Sequence, residues 1–359
     1  MAKLELLNTT MTGKQAEDLE NRLRRLVVGQ EEAIHEIVTA FQSHLTGLSP
    51  AGRPIANFLF LGPTGSGKTR VVEATAQALL NDPKAVIKID CAEFQHSHEI
   101  AKLVGSPPGY LGHRETHPML SQETLNRHFT DKLKLSIVLF DEIEKASDAL
   151  WNLLLGILDK GILTLGDNRR VDFSTTLIFL TSNLGAAEMC ALTSPKLGFH
   201  SRGEDAESGA QLSNRMSSIG IAAARRKFTP EFVNRLDKIV VFKPLGEEEL
   251  RRIIDIELEN VYRRLESAAA KTPFLLKVSN SAREFLLTEG TDSRYGARHL
   301  KRAIERLIVQ PVSNLMATSQ IERGDCIRVS HRPGSTSLTF FRETEAPPAW
   351  KAAAGRMVA

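Results

Sequence analysis

LFLGPTGSGKT, at residues 59–69, joins an apolar run to a glycine-rich loop that opens a helical pattern. Its glycines let the backbone curl, so that successive N–H groups and the N-terminus of the next helix can face phosphate oxygens. In such a loop Lys68 reaches the β- and γ-phosphates and the Thr69 hydroxyl binds Mg²⁺. A chance glycine-rich turn is the alternative, but it would not need the strand and the helix that flank this loop. The predicted nucleotide-binding residues here are Gly62, Pro63, Thr64, Gly65, Ser66, Gly67, Lys68 and Thr69.

SIVLFDE, at residues 136–142, is an unbroken apolar run that ends in two carboxylates. Such continuity is typical of a strand buried on both faces of a parallel sheet. At the end of that strand Asp141 can hold Mg²⁺ through water, while Glu142 can polarise a water for attack on the γ-phosphate. Two solvated acids at the start of the next helix, where acids suit the helix dipole, are the alternative. Together with the phosphate loop, the pair favours hydrolysis of the nucleotide.

The composition is that of a globular protein without a strong charge bias. The chain has 359 residues, of which 42% are hydrophobic and 25% charged, and this length allows two domains. Its 46 basic and 43 acidic residues leave a net charge of +3, which gives no general reason to bind nucleic acid. The cysteines Cys91, Cys190 and Cys326 are too scattered for a metal or disulfide pattern. With neither a signal peptide nor a long apolar run, we expect a cytoplasmic protein that does not enter membranes.

Strand and helix patterns alternate after the first residues, which predicts an α/β fold with a parallel sheet and helices on both faces. We assign residues 1–24 to a polar lead-in with little apolar surface to bury, and 25–244 to a large domain. Within it, residues 201–218 are poor in large apolar side chains and are predicted to form a long exposed loop. Further strands are predicted at 85–90, 137–141, 176–181 and 238–242, and helices at 70–80 and 148–158.

Past residue 244 the alternation stops, and helical patterns cover 247–266 and 281–289. We therefore predict a smaller, mainly helical C-terminal domain over 245–342, closed by a pair of strands at 326–329 and 337–341. Residues 343–359 are predicted to be a disordered tail.

From about Leu26 to Val329 the sequence resembles the second AAA+ ring module of the Clp-type unfoldases, the ClpA, ClpB and ClpC group. Three further signatures follow the phosphate loop and the acidic pair in the family's order: TSN at 181–183, FTPEFVNRLD at 228–237 and RYGAR at 294–298. The resemblance implies a P-loop AAA+ fold, ATP and Mg²⁺ as ligands, and hydrolysis of ATP to ADP and phosphate.

The resemblance also implies roles for single residues. Asn183 stands where the family senses the γ-phosphate, with a simple helix cap as the alternative. Arg235 stands where the family keeps an arginine finger that completes the site of a neighbouring subunit. A surface ion pair with Glu231 or Asp237 is the alternative for that side chain.

Three other residues have implied roles in ATP binding. Arg298 matches the second sensor, which contacts the phosphates from the small domain, while an ordinary solvated helix charge is the alternative. Val27 and Val28 match the stretch that packs against adenine, although each could equally be a plain core residue.

GSPPGYLG, at residues 105–112, cannot continue a helix or a central strand, so Tyr110 is expected on a loop. In Clp unfoldases the corresponding loop projects into the pore of a ring, and its tyrosine grips the translocating polypeptide. The resemblance thus implies that Gly109, Tyr110 and Leu111 contact protein substrates in a homo-oligomer, a hexameric ring. An aromatic side chain packed against its own domain is the alternative. The next residues, HRETHP at 113–118, depart from the family's acidic run and Gly-Gly pair, which leaves the substrate preference of the loop open.

These features together predict a ring-forming chaperone that uses ATP to thread polypeptide through a pore. The chain has no room for the N-terminal substrate domain, the further AAA+ module or the middle coiled coil of disaggregases, so we expect threading rather than stand-alone disaggregation. Two alternatives stay open: an ATPase dedicated to remodelling or assembling one complex, and a nucleic-acid motor. The near-neutral charge and the Tyr110 loop count against the motor.

Leu197, Gly198 and Phe199 fit the pattern by which protease-associated Clp unfoldases dock on a ClpP-type peptidase. Apolar side chains beside a polar segment favour a receiving partner. Leu197 and Phe199 packed onto their own domain are the alternative, and Ile219-Gly220-Ile221 is a second candidate tripeptide. We therefore add a ClpP-type peptidase to the predicted partners, which include neither nucleic acid nor membrane.

Overall fold

A computed structural model of the protein describes residues 12–106, 117–131, 133–193, 209–268, 273–291 and 296–343. The predicted pore-loop residues Gly109, Tyr110 and Leu111 lie outside these ranges, as do the tripeptide Leu197, Gly198 and Phe199 and residues 344–359 of the predicted tail. The chain divides into two compact units, Met1–Pro244 and Leu245–Ala359.

The first unit alternates strands with helices. Its strands are β1 (Ala56–Leu61), β2 (Ile87–Asp90), β3 (Ser136–Asp141), β4 (Ile162–Thr164), β5 (Arg170–Asp172), β6 (Thr176–Ser182) and β7 (Lys238–Val241). Its helices are α1 (Lys14–Leu26), α2 (Glu31–Leu45), α3 (Lys68–Leu80), α4 (Ala101–Val104), α5 (Gln122–Asn126), α6 (Asp148–Lys160), α7 (Ala186–Thr193), α8 (Gly209–Lys227) and α9 (Pro230–Val233).

Five of these strands form one parallel sheet in the order β2-β3-β6-β1-β7. The predicted parallel α/β sheet is thereby confirmed, with each predicted strand present within a few residues of its expected bounds. β1 lies between two strands that come late in the chain, so the strand order reverses beside it. Ligands of open parallel sheets bind outside the carboxyl ends of the strands near such a reversal.

The sheet lies between two apolar cores, which explains its continuous apolar runs. On one face Phe58 and Phe60 of β1 pack against Phe179 of β6, with ring centroids 5.3 and 5.4 Å from that of Phe179. On the other face Leu59 and Leu61 join a second buried cluster. Because helices cover both faces, every residue of β1 and β6 is buried.

α1 differs from the polar lead-in predicted for residues 1–24. Ala16, Leu19 and Leu23 are almost fully buried, and the helix packs against α2 and α3. The three side chains lie at helical spacing among charged residues, so they form a narrow apolar stripe in a segment whose average composition is polar.

The exposed loop predicted at 201–218 is wrong for its second half, because α8 begins at Gly209. Good helix formers such as Gln211, Leu212 and Met216 outweigh the scarcity of large apolar residues there. The alternative docking tripeptide, 219–221, lies inside this helix. Gly220 is buried so tightly that an added Cβ would lie 2.7 Å from Met189 Cε, so the tripeptide is part of the fold and not an exposed loop.

The second unit combines helices with a small sheet. Its helices are α10 (Glu247–Ala268), α11 (Asn280–Gly290), α12 (Ala297–Ile304) and α13 (Gln310–Ala317), with a π-helical turn at Glu305–Val309. Its strands are β8 (Leu275–Val278), β9 (Cys326–His331) and β10 (Leu338–Glu343). The predicted pair is confirmed as β9 and β10, which run antiparallel, while the unpredicted β8 adds a parallel third strand. None of the helices in the described part of either unit is long and apolar enough to cross a bilayer.

Candidate active site

The strand register brings the predicted phosphate-site residues to one edge of the sheet. Leu61, the last residue of β1, pairs with Ser182 of β6, and Phe140 of β3 pairs with Leu180. The phosphate loop, the Asp-Glu pair and Asn183 each follow directly from one of these carboxyl ends. Three motifs that are far apart in the sequence are therefore neighbours because parallel strands end at the same edge.

The phosphate loop approaches the end of β7 so closely that its first position accepts no side chain. Gly62 has a φ of +139°, and a Cβ at this position would lie 2.5 Å from the carbonyl oxygen of Phe242. Any larger residue would have to displace backbone. The loop leads into α3, whose first residue is Lys68 and whose second is Thr69.

Lys68 is buried, with 8% of its surface exposed. Its ammonium group donates to the carbonyl oxygens of Gly62 at 2.6 Å and Pro63 at 2.9 Å, and to Asn183 Oδ1 at 2.9 Å. Since a buried ammonium needs acceptors, these contacts hold the side chain over the loop where phosphate oxygens could replace them.

Asp141 is fixed by two neighbours at the end of β3. The Thr181 hydroxyl donates to Asp141 Oδ1, and Lys88 Nζ lies 2.8 Å from Asp141 Oδ2. The carboxylate therefore already faces a cation. Burial next to this group, helped by the charge of Asp141, raises the pKa of the Cys91 thiol, so Cys91 remains a protonated core side chain.

Glu142 has an unusual backbone conformation for a side chain of its kind. Its φ and ψ of 57° and 48° lie in the left-handed region, which costs a non-glycine residue about 1–3 kcal/mol and is concentrated at functional sites. The Glu142 N–H donates to Thr181 Oγ1 at 3.1 Å, and Lys145 Nζ lies 2.5 Å from Glu142 Oε2. The hydrogen bond with Glu142 raises the pKa of Lys145.

Asn183 connects the lysine to the acid. Its Oδ1 accepts from Lys68, its Nδ2 lies 3.5 Å from Glu142 Oε1, and its backbone N–H donates to Glu144 Oε1 at 3.0 Å. The side chain thus faces the phosphate loop, as the γ-phosphate-sensor prediction requires, and this placement disfavours a simple cap of α7.

Gln30 is a site residue that the sequence did not reveal. It is 5% exposed, and its Nε2 donates to the carbonyl oxygens of Ser66 at 3.0 Å and Lys243 at 3.1 Å. Gln30 therefore ties the phosphate loop to the segment after β7. The preceding Val27 and Val28 are both buried, which fits the core alternative as well as an adenine contact.

Arg235 lies at the opposite end of β1 from the phosphate loop. Its backbone carbonyl accepts from Asn57 Nδ2 at 3.3 Å, and the N–H of Asp237 donates to the Asn57 carbonyl at 3.0 Å. The Arg235 guanidinium lies 3.1 Å from Glu231 and 3.7 Å from Asp159. The surface ion pair considered for this residue is thus present with Glu231, and the side chain is not close to its own phosphate loop.

Arg298 belongs to the second unit, where it lies in the first turn of α12. It lines a groove of about 860 Å³ together with Lys301, Arg302 and Arg306, among others. The groove is rich in positive charge, which is compatible with phosphate binding, and the predicted role of Arg298 remains a prediction.

The donors present suit Mg²⁺. This ion prefers oxygen ligands and is usually bound by one or two protein groups together with substrate phosphates, and Thr69 and Asp141 offer a hydroxyl and a carboxylate at the loop edge. Among the described residues no group of three or more His, Cys, Asp and Glu side chains is placed to hold a metal by itself. The residues therefore fit a cation that is shared with the phosphates.

Two family models match the chain. The AAA domain (Cdc48 subfamily) matches residues 53–239, and the C-terminal D2-small domain of ClpB protein matches residues 245–329. The boundary between the matches coincides with the boundary between the two compact units.

A chaperone and a heat shock protein are each similar to this chain over nearly its whole length. Chaperone protein ClpB 1 of Parasynechococcus marenigrum is 38% identical over 89% of this chain, and Heat shock protein 100 of Trypanosoma brucei brucei is 38% identical over 90%. In both comparisons the matched part is 34% of the relative, so the chain spans about a third of the length of these proteins.

Solved structures of Hsp104 have the same fold. The S. cerevisiae Hsp104:casein complex in its extended conformation gives a TM-score of 0.77 at 28% identity, covering 92% of this chain and 53% of that one. The closed state of Hsp104 with ATPγS and FITC casein gives 0.74 at 29% identity, covering 92% and 52%.

Proposed function

The chain belongs to the AAA ATPase family and carries a small domain of the ClpB type, and from that premise we propose that it is a ring-forming, ATP-driven protein unfoldase. It hydrolyses MgATP and threads polypeptide through a central pore. The observation that carries the proposal is the contact chain from Lys68 through Asn183 to Glu142, which joins the phosphate-binding lysine to the acid. The similarity to ClpB chaperones and to Hsp104 bound to casein supports a mechanical use of that chemistry.

Each side chain of the site has its own role in the hydrolysis of ATP. Lys68 exchanges its carbonyl acceptors for β- and γ-phosphate oxygens, and Glu142 accepts a hydrogen bond from the attacking water and orients it. The water oxygen bonds to the γ-phosphorus while the bond to the β–γ bridging oxygen breaks, which yields ADP and phosphate. Asn183 donates to the γ-phosphate or the water. Thr69 and Asp141 would hold Mg²⁺, which would supply positive charge to the phosphates.

Arg235 acts on the nucleotide of a neighbouring subunit. Asn57, beside Arg235, and Gly62 are five residue steps apart along an extended strand, which corresponds to roughly 16 Å. Arg235 is therefore too far to serve its own site, and a ring, a hexamer in this proposal, supplies the missing guanidinium from the next copy. Arg298 provides the second cationic contact to the phosphates.

Tyr110 provides the test, because the proposal gives it a role in threading and none in hydrolysis. We expect Tyr110→Ala to keep basal ATP hydrolysis and to abolish unfolding of a tagged fluorescent protein, while Tyr110→Phe, which retains the ring, keeps most of both. Equal unfolding by wild type and Tyr110→Ala would remove Tyr110 from the mechanism. Hydrolysis by wild type without any unfolding, or without stimulation by unfolded polypeptide, would favour the dedicated remodelling ATPase.

A ClpP-type peptidase is not part of this proposal. The similar proteins named above are chaperones, which gives docking through Leu197, Gly198 and Phe199 no support, so it stays a prediction. ATP-dependent degradation by the ring plus the peptidase, lost in Leu197→Ala/Phe199→Ala, would be needed to restore it.

A further inference from the structure

The hairpin formed by β4 and β5 touches the base of the segment that carries Tyr110. At the tip of the hairpin the Gly166 N–H donates to the carbonyl oxygen of Val104 at 2.8 Å. A Cβ added to Gly166 would lie 2.6 Å from the carbonyl oxygen of Gly105 and 3.0 Å from the carbonyl carbon of Ser106. The two backbones are therefore in direct contact, and only glycine permits that approach.

Residues 101–106 and 117–120, which we call the stem, flank that segment on both sides. The N–H groups of Met119 and Leu120 donate to the carbonyl oxygens of Lys102 and Leu103, each at 3.1 Å. With the bond from Gly166 to Val104, three successive carbonyls at the end of α4 are satisfied by the stem itself and by the hairpin. The carbonyls at a helix end lack partners within the helix. These bonds supply the partners, and they hold the two parts of the stem to each other and to the hairpin.

Buried apolar side chains of the stem and of the hairpin also share one hydrophobic cluster. Leu103 and Leu120 of the stem belong to one cluster with Leu163, Leu165 and Val171 of the hairpin, all of them at most 4% exposed. Just after the stem, in α5, Gln122 Oε1 accepts from the Asp172 N–H at 2.8 Å. Stem and hairpin thus meet at the tip and share one buried cluster, and α5 is bonded to β5.

The hairpin is also linked to the catalytic edge through α6. The turn that follows Glu142 accepts a hydrogen bond from Trp151 Nε1 of α6 through the Ile143 carbonyl, at 3.0 Å. α6 ends at Lys160, and β4 begins two residues later. The turn after Glu142 is therefore bonded to α6, and α6 leads through β4 to the hairpin tip at Gly166, which contacts the stem.

We propose that Gly166 is a positioning residue for substrate threading, in which the hairpin tip holds the stem in a set position relative to the turn after Glu142. The inference rests on the proposed unfoldase function and deepens it, since it names the contact that carries movement from the nucleotide edge to the stem. Gly166 contacts neither nucleotide nor substrate in this scheme.

Gly166→Ala tests the contact with a single methyl group. The φ of Gly166 lies outside the left-handed region, so backbone conformation permits alanine and the obstacle is the carbonyl of Gly105. Gly156→Ala is the matched control, because Gly156 lies in α6 and its added Cβ would meet only the Ile162 carbonyl, at an ordinary 3.9 Å. We expect Gly166→Ala to unfold the tagged fluorescent protein at least about tenfold more slowly, since small misplacements of a positioning group have effects of that size or more.

Measurements of melting temperature, ATP hydrolysis and unfolding distinguish a positioning role of Gly166 from a merely structural one. Positioning predicts that Gly166→Ala remains folded and keeps basal ATP hydrolysis, while unfolding and the stimulation of hydrolysis by unfolded casein both fall by at least about tenfold. Equal unfolding by Gly166→Ala, Gly156→Ala and wild type would overturn the inference. A parallel fall of melting temperature, basal hydrolysis and unfolding would also overturn it, because Gly166 would then be merely structural.

Hydrogen exchange on the wild-type chain keeps the test independent of any variant and of the threading assay. We expect the amides of Gly166, Met119 and Leu120 to change protection together when ATPγS replaces ADP. Changes in only one of the two elements would contradict coupling. A wild type that fails to unfold protein would refute the proposed function, while correlated exchange would still establish the contact.

Discussion

The two ends of β1 differ in how many of the predicted site residues one chain brings together there. At the carboxyl end, Lys68, Asn183 and Glu142 form a connected network within one chain, in which Lys68 is buried. At the amino end, Arg235 is one-quarter exposed and is paired with the acids Glu231 and Asp159. One strand thus has the predicted phosphate site at one end and a single ion-paired arginine at the other.

The proposed action of Arg235 on a neighbouring subunit accounts for this difference. A buried ammonium and a left-handed glutamate are costly unless their surroundings fix them, and the carboxyl end supplies those surroundings itself. The surface ion pairs of Arg235 are worth about 0–1 kcal/mol each, so the guanidinium can leave them for a phosphate on a neighbouring subunit at small cost. The following substitutions test this division between an internal half-site, formed by Lys68, Asn183 and Glu142 of one chain, and a donated half-site, which is Arg235 of the neighbouring subunit.

The largest effect is expected at the internal half. Glu142→Gln should keep ATP binding and lower phosphate release by about 10²–10⁴-fold, because an amide orients water poorly. Glu144→Gln is the matched control, since its amide oxygen can still accept the Asn183 N–H, and its rate should stay within a few-fold of wild type. Phosphate release together with a nucleotide-binding titration measures both; a wild-type rate in Glu142→Gln would mean that another group orients the water.

The donated half should give the next largest effect. Arg235→Ala should lower hydrolysis by about 10²-fold, somewhat less than the ~10³-fold or more of a full arginine finger, because Arg235 must first leave two acids. Arg226→Ala, which removes an exposed pair with Glu188, is the control and should change little.

Mixing subunits distinguishes donation from local damage. Rings that combine Arg235→Ala with Lys68→Ala contain some interfaces with both an intact loop and an intact finger. Partial activity should therefore return when the two inactive proteins are mixed. If the mixture is as inactive as its components, action across the interface is ruled out.

The sequence predicts the internal half better than the rest, for a physical reason. The phosphate loop and the Asp-Glu pair are local patterns attached to buried strands, and parallel pairing then brings them to one edge without further information. Gln30 could not be found in this way, because its two backbone partners are 36 and 213 residues away in the chain.

Weak local patterns explain the other differences between the predicted and the observed structure. α1 buries a stripe of only three apolar side chains, and the strands of the β4–β5 hairpin have three residues each, too few for a clear alternation. The position of Arg235 at the far end of β1 depends on the strand order, which the sequence motif does not contain.

Gln30 offers a smaller effect that sharpens the comparison within the internal half. Gln30→Ala removes a buried donor from the Ser66 and Lys243 carbonyls, which should lower the free energy of unfolding by about 1–3 kcal/mol. ATP affinity should fall as well, because the phosphate loop loses a tether. Gln95→Ala is the control, since the exposed Gln95 bonds only to a carbonyl three residues away. Urea unfolding and an ATP titration measure the two effects, and unchanged affinity would show that the loop holds its shape without Gln30.

The smallest effect is expected at Lys145, whose side chain is about half exposed and pairs with Glu142. Lys145→Gln should lower the free energy of unfolding by less than about 1 kcal/mol, with the surface substitution Lys134→Gln as control. Glu142 must leave this pair to meet the water, so basal hydrolysis should rise, by no more than about fivefold, the factor that 1 kcal/mol represents.

The effect of the pair on stability should depend on pH. Because the pair raises the pKa of Lys145 above its unfolded value of about 10.4, its stabilisation is complete below that pH and is lost as the pH rises through the folded pKa. Urea unfolding of the two variants should therefore differ equally at neutral and mildly alkaline pH; a difference that disappears on going from neutral to mildly acidic pH would place the responsible charge on another group.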